Sequence, residues 1–192
     1  MNKLVRKYII LVKSFCLYNK KKYLKYFCRK FNINKNEIIK ILNQSKEDFL
    51  FYFESDPSIK LKEEVFILNG YKAICLYRLG NLLYNREEVL MSRQLSEYIH
   101  SLYGIDIHPQ VFIDSPFFID HGTGIVIGST AIIGKFVKMY HGVTLGAKYI
   151  TNKEKRHPTI EDNVTLFAHS AVFGDITIKE NTIVKAYELF VE

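Results

Sequence analysis

The chain has 192 residues, of which 48% are apolar and 14% aromatic, and this composition excludes an intrinsically disordered protein. Its formal net charge of +7 is unevenly distributed, because residues 1–36 contain eleven lysines or arginines and no acidic residue. A basic arm of this kind can bind nucleic acid or an anionic membrane. No nucleic-acid-binding motif accompanies it, and no apolar stretch approaches the roughly 20 residues of a membrane span. We therefore interpret the arm as the solvated face of an amphipathic segment and expect neither nucleic acid nor a membrane as a partner.

The cysteines Cys16, Cys28 and Cys75 are odd in number and include no C-x-x-C pair. This pattern argues against a disulfide framework and suits a reducing compartment. The apolar run at residues 8–12 is too short for a signal peptide, and Lys13 ends it. We therefore expect a cytoplasmic protein whose cysteines serve as small buried apolar residues.

Residues 1–103 are predicted to form a helical N-terminal domain. Between Asn34 and Leu42 the apolar residues recur at helical spacing. Asn34 is a suitable N-cap, and Glu37 is positioned to complete a capping box with it. The dipeptide Asp56-Pro57 ends this first helical pattern.

Two more helices are predicted before the second half of the chain. The apolar spacing predicts one from about Leu61 to Leu83 and another from about Glu87 to Tyr98. Gly104 marks the end of the third helix, because glycine commonly terminates helices.

From residue 104 to 192 the large apolar residues recur every six positions, with one change of phase and one interruption. Neither a helix, with about 3.6 residues per turn, nor a strand, with a period of two, produces this spacing. The pattern is typical of a hexapeptide β-helix, in which each unit forms one short strand and one corner of a triangular prism. The repeating residues are Ile107, Ile113, Ile119 and Ile125, then Ile127, Ile133, Met139 and Leu145, then Ile160, Leu166, Val172, Ile178, Val184 and Phe190.

A second set of positions, four residues after many of these, is expected to share the prism interior. These residues are mostly small or β-branched: Ala131, Val137, Val143, Val164, Ser170, Ile176 and Thr182. The repeat is interrupted between Leu145 and Ile160 by a polar, basic segment. We interpret residues 146–159 as a loop that projects from one corner, and loops on rigid scaffolds often carry functional residues.

Four blocks of this region are distinctive: Asp106-Ile107-His108-Pro109, Asp120-His121-Gly122-Thr123-Gly124-Ile125-Val126-Ile127-Gly128, Val143-Thr144-Leu145-Gly146 and Arg156-His157-Pro158. They resemble the signature of the serine O-acetyltransferases, a family of hexapeptide-repeat acyltransferases. Their order and spacing match that signature, and the resemblance extends over about residues 50–185, including Asp56-Pro57. It implies an α+β fold in which a left-handed parallel β-helix, residues 104–192, follows the helical domain.

The resemblance implies an enzyme that transfers an acetyl group from acetyl-CoA to the hydroxyl of L-serine, giving O-acetylserine for cysteine biosynthesis. A serine hydroxyl is a poor nucleophile at neutral pH and needs a base to accept its proton as it attacks the thioester. Histidine, with an unperturbed pKa of about 6.5, suits this role. The resemblance assigns it to His121, with Asp106 hydrogen-bonded to the other ring nitrogen.

The amino-acid substrate is a zwitterion and needs partners for both of its charges. The resemblance assigns the substrate carboxylate to Arg156, whose guanidinium can form a bidentate pair. It assigns the substrate ammonium to Asp56 and Asp120, and it places His157 close to the serine.

The acyl-donor side of the site departs from the family pattern. Acetyl-CoA is expected to contact Gly146, Ala147 and Lys148, but Ala147 stands where the family has a glycine. Ser129 stands where the family has a glutamate. The sequence also ends at Glu192, before the family's CoA-groove segment and its tail for cysteine synthase. We therefore expect a weakened acyl-donor site and no stable complex with cysteine synthase.

The resemblance also implies a homo-oligomer, either a trimer or a dimer of trimers, with active sites between neighbouring β-helices. Two other functions stay open: an O-acetyltransferase acting on a sugar or another hydroxyl acceptor, and a truncated, non-catalytic family member. A zinc site made of three histidines, as in the gamma-class carbonic anhydrases, explains His121 and His157 less well. We therefore expect no metal.

Overall fold

A computed structural model describes residue 29 and residues 31–149 and 154–192. Most of the basic arm, together with Cys16 and Cys28, lies outside the described residues, and so does the middle of the predicted loop. From residue 31 onward the described helices are α1 (Lys35–Ser55), a short 3-10 helix (Lys62–Ile67), α2 (Asn69–Asn85) and α3 (Val89–Tyr103).

The first helix begins where the sequence predicts. The side chain of Asn34 accepts the N–H of Glu37 at 3.0 Å, and Glu37 accepts the N–H of Asn34 at 2.8 Å, so the capping box is confirmed. The bond from Asn34 and the pairing of Glu37 with Arg86 together lower the pKa of this carboxyl.

The predicted continuous helix from Leu61 to Leu83 is wrong. The 3-10 helix ends at Ile67, the backbone at Leu68 is extended, and α2 begins at Asn69. The break allows Gly70, in the first turn of α2, to approach the first β-coil closely. A Cβ atom at Gly70 would lie 2.4 Å from the carbonyl oxygen of Ile119, which local helical periodicity cannot reveal.

The predicted third helix is present but extends to Tyr103, beyond the predicted end at Tyr98. Gly104 follows it with a φ of 66°, in the left-handed conformation that glycine adopts readily at helix ends. The N–H of Gly104 donates to the carbonyl oxygen of His100 at 2.9 Å.

From Ile105 onward the described residues form a left-handed parallel β-helix of three sheets. Sheet A contains β1, β4, β7, β10 and β13, sheet B contains β2, β5, β8 and β11, and sheet C contains β3, β6, β9 and β12. The strands are β1 (Ile105–Ile107), β2 (Phe112–Ile113), β3 (Phe117–Ile119), β4 (Ile125–Ile127), β5 (Ile132–Ile133), β6 (Val137–Met139), β7 (Thr144–Gly146), β8 (Thr159–Ile160), β9 (Thr165–Leu166), β10 (Ala171–Phe173), β11 (Thr177–Ile178), β12 (Ile183–Val184) and β13 (Leu189–Val191).

The six-residue repeat corresponds to the stacking of consecutive coils. In sheet A the register aligns Ile107, Ile127, Leu145, Val172 and Phe190, and the first four of these side chains are buried. The predicted companion residues Ala131, Val137, Val143, Val164 and Ser170 are also buried. The prediction of the β-helix interior is therefore confirmed.

The helices cover the open end of the β-helix, where the first coil would otherwise expose unpaired backbone groups. From α1, Asp48 accepts the N–H of Phe117 and Tyr52 accepts the N–H of Ile119, both at 2.9 Å. From α2, Tyr77 accepts the N–H of Ile113 at 3.2 Å. Side chains of the helices thus replace the missing neighbouring coil.

A buried ion pair supports this arrangement. Arg78 of α2 donates from Nε to Asp48 Oδ2 at 2.6 Å and from Nη1 to the carbonyl oxygen of Ile113 at 3.1 Å. Helices and β-helix share one apolar core. The division into domains 1–103 and 104–192 therefore stays a prediction, although Tyr103 and Ile105 do separate helical from strand structure.

Candidate active site

His121, the predicted base, lies in the turn that connects sheet C to sheet A, between β3 and β4. Its backbone has a φ of 59°, in the left-handed region, and its side chain is 70% exposed. The ring Nε2 lies 3.7 Å from Oδ1 of Asp120. A turn anchored by buried strands on both sides thus presents the imidazole to solvent.

Asp56, from the helical half, lies close to the same turn. It caps α1: its N–H donates to the carbonyl oxygen of Tyr52 at 3.1 Å, and its carboxylate accepts the N–H of Ser58 at 2.9 Å. Burial is the main cause that raises the pKa of Tyr140, and the charges of the nearby carboxylates of Asp120 and Asp56 raise it further. Both carboxylates therefore act on the same phenol, and we call Asp56, Asp120 and His121 the acidic corner.

Asp106 lies in the middle of β1, paired in register with Val126. Within the described part of the chain it forms no hydrogen bond with His121, and the carboxylate that approaches the imidazole is that of Asp120. The orienting role of Asp106 stays a prediction. The high exposure of His121 leaves its ring free to change rotamer.

Arg156 and His157 lie at another edge of the prism, in the connection from sheet A to sheet B. The hydroxyl oxygen of Thr130 accepts the N–H of Arg156 at 3.0 Å and that of His157 at 3.2 Å. The N–H of Thr130 donates to Nδ1 of His157 at 3.2 Å, so Nδ1 is an acceptor and the neutral ring carries its proton on Nε2. A Cβ atom at Gly128 would lie 2.0 Å from that ring, so only glycine accommodates it.

Burial is the main cause that lowers the pKa of His157, and the positive charges of Arg156 and Lys155 lower it further. Burial is also the main cause that lowers the pKa of His108, and the charges of Arg93, His157 and Arg156 lower it further, to about 4. Both imidazoles are therefore neutral at pH 7, and Arg156 supplies positive charge. We call His108, Thr130, Arg156 and His157 the basic corner.

The acidic and basic corners are different edges of one prism. His121 lies between sheets C and A, whereas His157 precedes β8 of sheet B and contacts Thr130, which lies between β4 of sheet A and β5 of sheet B. The structure thus brings Asp56, Asp120 and His121 together, and Arg156 and His157 together. It does not bring the two groups together within one chain.

The predicted acyl-donor residues lie at the end of β7. A Cβ atom at Gly146 would lie 2.4 Å from the ring of Phe173, so this glycine is required for packing between coils. Ala147 is partly exposed, and Lys148 is exposed and donates to the carbonyl oxygen of Glu192. Their role toward CoA stays a prediction.

Three residues that the sequence did not single out belong to these corners: Tyr52, Thr130 and Tyr140. Each acts on residues distant in sequence, so no local pattern identifies them. Tyr140 lies one coil beyond Asp120, and the following residue, His141, has its ring centroid 5.5 Å from that of His121. Only the register between coils could have indicated these neighbours.

Among the described residues, none of the helices is long and apolar enough to cross a membrane. In the same part of the chain, no group of three or more histidine, cysteine, aspartate or glutamate side chains is arranged to hold a metal ion.

Comparison with curated proteins finds relatives that share one name. A serine acetyltransferase from Staphylococcus xylosus is 40% identical over 152 residues, which cover 78% of this chain and 69% of the relative. One from Bacillus licheniformis is 42% identical over 136 residues, covering 69% of this chain and 62% of the relative. The chain thus spans less than two thirds of some relatives, and 41% of a plasmid-encoded one from Synechococcus elongatus. No protein-family model matches the chain.

Solved structures agree with these relatives. Serine acetyltransferase isoform 3 from Entamoeba histolytica, in complex with cysteine, superposes with a TM-score of 0.72 at 36% identity, covering 82% of this chain and 58% of that one. The soybean enzyme complexed with serine gives 0.76 at 28% identity, with 85% and 66% coverage. A serine acetyltransferase complexed with CoA gives 0.72 at 29% identity, with 76% and 60% coverage. The chain therefore belongs to the serine acetyltransferase family.

Proposed function

We propose that this protein transfers an acetyl group from acetyl-CoA to the hydroxyl of L-serine, producing O-acetylserine and CoA. The observation that carries the proposal is the charge arrangement at the two corners. An exposed imidazole lies beside the carboxylate of Asp120 at the corner that also holds Asp56, and an arginine lies beside a neutral histidine at the other corner. An α-amino acid has a matching set of groups: a hydroxyl, an ammonium and a carboxylate. Relatives named serine acetyltransferase and a neighbour that binds serine support this substrate.

In the proposed reaction His121 acts as the general base. It accepts the hydroxyl proton of serine while the serine oxygen attacks the thioester carbonyl carbon. The tetrahedral intermediate then collapses, the carbon–sulfur bond breaks, and the leaving thiolate takes the proton back from His121. The exposure of His121 gives both substrates access to the ring. Asp106 is proposed to orient that ring in the complex, as the acid of a catalytic triad does.

The charges at the two corners are proposed to hold the zwitterion. Asp56 and Asp120 bind the ammonium, and Arg156 binds the carboxylate with two parallel hydrogen bonds. His157, neutral and with its Nε2 proton free of the bond to Thr130, can donate to an oxygen of the substrate. A neutral sugar needs no such set of charges, so this arrangement favours serine over a sugar acceptor.

The separation of the corners supports an active site between two copies of the chain. The acidic corner of one prism can face the basic corner of the next when copies are arranged around a threefold axis. We therefore propose a homotrimer, which contacts between the helical halves could double into a dimer of trimers.

The acyl donor is proposed to be acetyl-CoA, in contact with Gly146, Ala147 and Lys148. A neighbouring structure that contains CoA supports this choice. We also propose a role in cysteine biosynthesis, which the product O-acetylserine suits. A cytoplasmic location is proposed because the three cysteines of the sequence include no C-x-x-C pair.

The proposal is tested by following CoA release from acetyl-CoA with L-serine, with a panel of sugars, and without acceptor. We expect serine-dependent release and identify the product as O-acetylserine by mass spectrometry. Sugar-dependent release would favour the other acetyltransferase function. If the protein is correctly folded and neither serine nor any sugar increases CoA release, the result would favour a non-catalytic family member.

Replacing Arg156 by lysine is expected to raise the KM for L-serine by about tenfold or more, with a smaller effect on the KM for acetyl-CoA, because lysine keeps the charge but loses the bidentate geometry. Initial rates with each substrate varied in turn measure both constants. The matched control is Arg86→Lys, since Arg86 pairs with Glu37 at the helical end of the molecule. Equal increases in the two KM values would instead assign Arg156 to ordering of the loop.

A further inference from the structure

Tyr52 is a buried residue of α1 that contacts both parts of the acidic corner through different atoms. Its hydroxyl oxygen accepts the N–H of Ile119 at 2.9 Å, and Ile119 directly precedes Asp120 and His121. Its carbonyl oxygen accepts the N–H of Asp56 at 3.1 Å. One rigid residue therefore connects the helix end that carries Asp56 with the turn that carries Asp120.

The surroundings of Tyr52 allow little movement. The side chain has no exposed surface, and its ring centroid lies 4.7 Å from that of Phe118 and 5.6 Å from that of Tyr71. A Cβ atom at Gly70 would lie 2.7 Å from the Tyr52 hydroxyl, so α2 closes over it. Burial raises the pKa of Tyr52, and the phenol stays neutral.

We propose that Tyr52 is a positioning residue that sets the separation of the Asp56 and Asp120 carboxylates and thereby the affinity for the substrate ammonium. The effect on serine affinity rests on the proposed function. The claim that Tyr52 fixes the position of Asp56 relative to Asp120 does not rest on it. Tyr52 does not touch the substrate. It acts on the two carboxylates indirectly. Asp56 lies at the end of α1 and Asp120 in the turn after β3, so their separation is fixed only if both elements are attached to a common rigid group.

The test compares Tyr52→Phe with Tyr77→Phe. Both changes remove one buried hydroxyl that accepts an N–H of the first coil, from Ile119 in one case and Ile113 in the other. Tyr77 lies in α2 and holds β2, away from the acidic corner. The Tyr77 hydroxyl also donates to the carbonyl oxygen of Val111. The control therefore removes at least as many buried hydrogen bonds as Tyr52→Phe does, but it leaves the connection to Asp56 and Asp120 in place.

Two measurements are made on both variants. The first is amide hydrogen exchange by mass spectrometry over residues 55–59 and 117–121, where the N–H groups of Ser58 and Ile59 report on the Asp56 turn. The second is the KM for L-serine and for acetyl-CoA. For Tyr52→Phe we expect faster exchange in both segments and a KM for serine raised by about three- to tenfold, with the KM for acetyl-CoA unchanged. Tyr77→Phe should leave all four quantities close to wild type.

Unchanged exchange at residues 55–59 in Tyr52→Phe would overturn the proposal, because Asp56 would not depend on the phenol. Equal increases in both KM values, or the same pattern in Tyr77→Phe, would show a general loss of stability and would also overturn it. If the wild-type protein does not acetylate serine, the proposed function fails, and hydrogen exchange still decides whether Tyr52 couples the two segments.

Discussion

Replacing His121 by alanine is expected to lower the turnover number for serine acetylation by about 10²–10⁴-fold, the usual contribution of a general base. The fold should persist, because the His121 side chain is 70% exposed and contributes little to the core. Alanine at this position keeps a left-handed φ of 59°, which costs some stability, so thermal unfolding is measured alongside the rate. Steady-state rates at saturating serine and acetyl-CoA give the turnover number.

His100→Ala provides the matched control. His100 is exposed in the last turn of α3, outside both corners, and its removal should leave the rate unchanged. A His121→Ala protein that keeps more than about a third of the wild-type rate would show that another group acts as the base, since losing a positioned base costs far more.

Mixing two impaired variants is expected to restore part of the lost activity. His121→Ala removes the base, and Arg156→Ala should lower kcat/KM for serine by about 30-fold or more, because a charged partner of the substrate is lost. The two residues lie at different corners, so the proposed site between copies takes them from different chains. In a cyclic trimer that contains both variants, one of the three interfaces combines an intact His121 with an intact Arg156.

The measurement uses two co-expressed, differently tagged variants, purified through both tags so that only mixed oligomers remain. Light scattering on the wild-type protein gives the oligomeric state, which should be a multiple of three. A mixed oligomer no more active than its parents would place His121 and Arg156 of one site in the same chain. A monomer at micromolar concentration would remove the basis for a shared site.

The β-helix was predictable from the sequence because its period arises from local geometry. Every coil must place an aliphatic side chain at the same point of the prism, and residues such as Ile127, Leu145 and Val172 repeat that requirement. The capping box of Asn34 and Glu37 is likewise a contact between near neighbours in the chain. By contrast, the break at Leu68 was not predictable, because it reflects the approach of Gly70 to Ile119, 49 residues away in the numbering.

The sequence by itself determined the family signature, the three-sided β-helix and the identity of the candidate residues Asp56, Asp120, His121, Arg156 and His157. These depend on residue type and spacing, which the chain displays directly. Only the tertiary structure decided which of them share a corner, because the residues of one corner come from turns and helix ends that are far apart in the sequence. It also decided that Tyr52 and Thr130 support those corners, since each forms hydrogen bonds with backbone groups distant in the sequence. Such contacts form only when the coils and helices have packed, so no local pattern contains them.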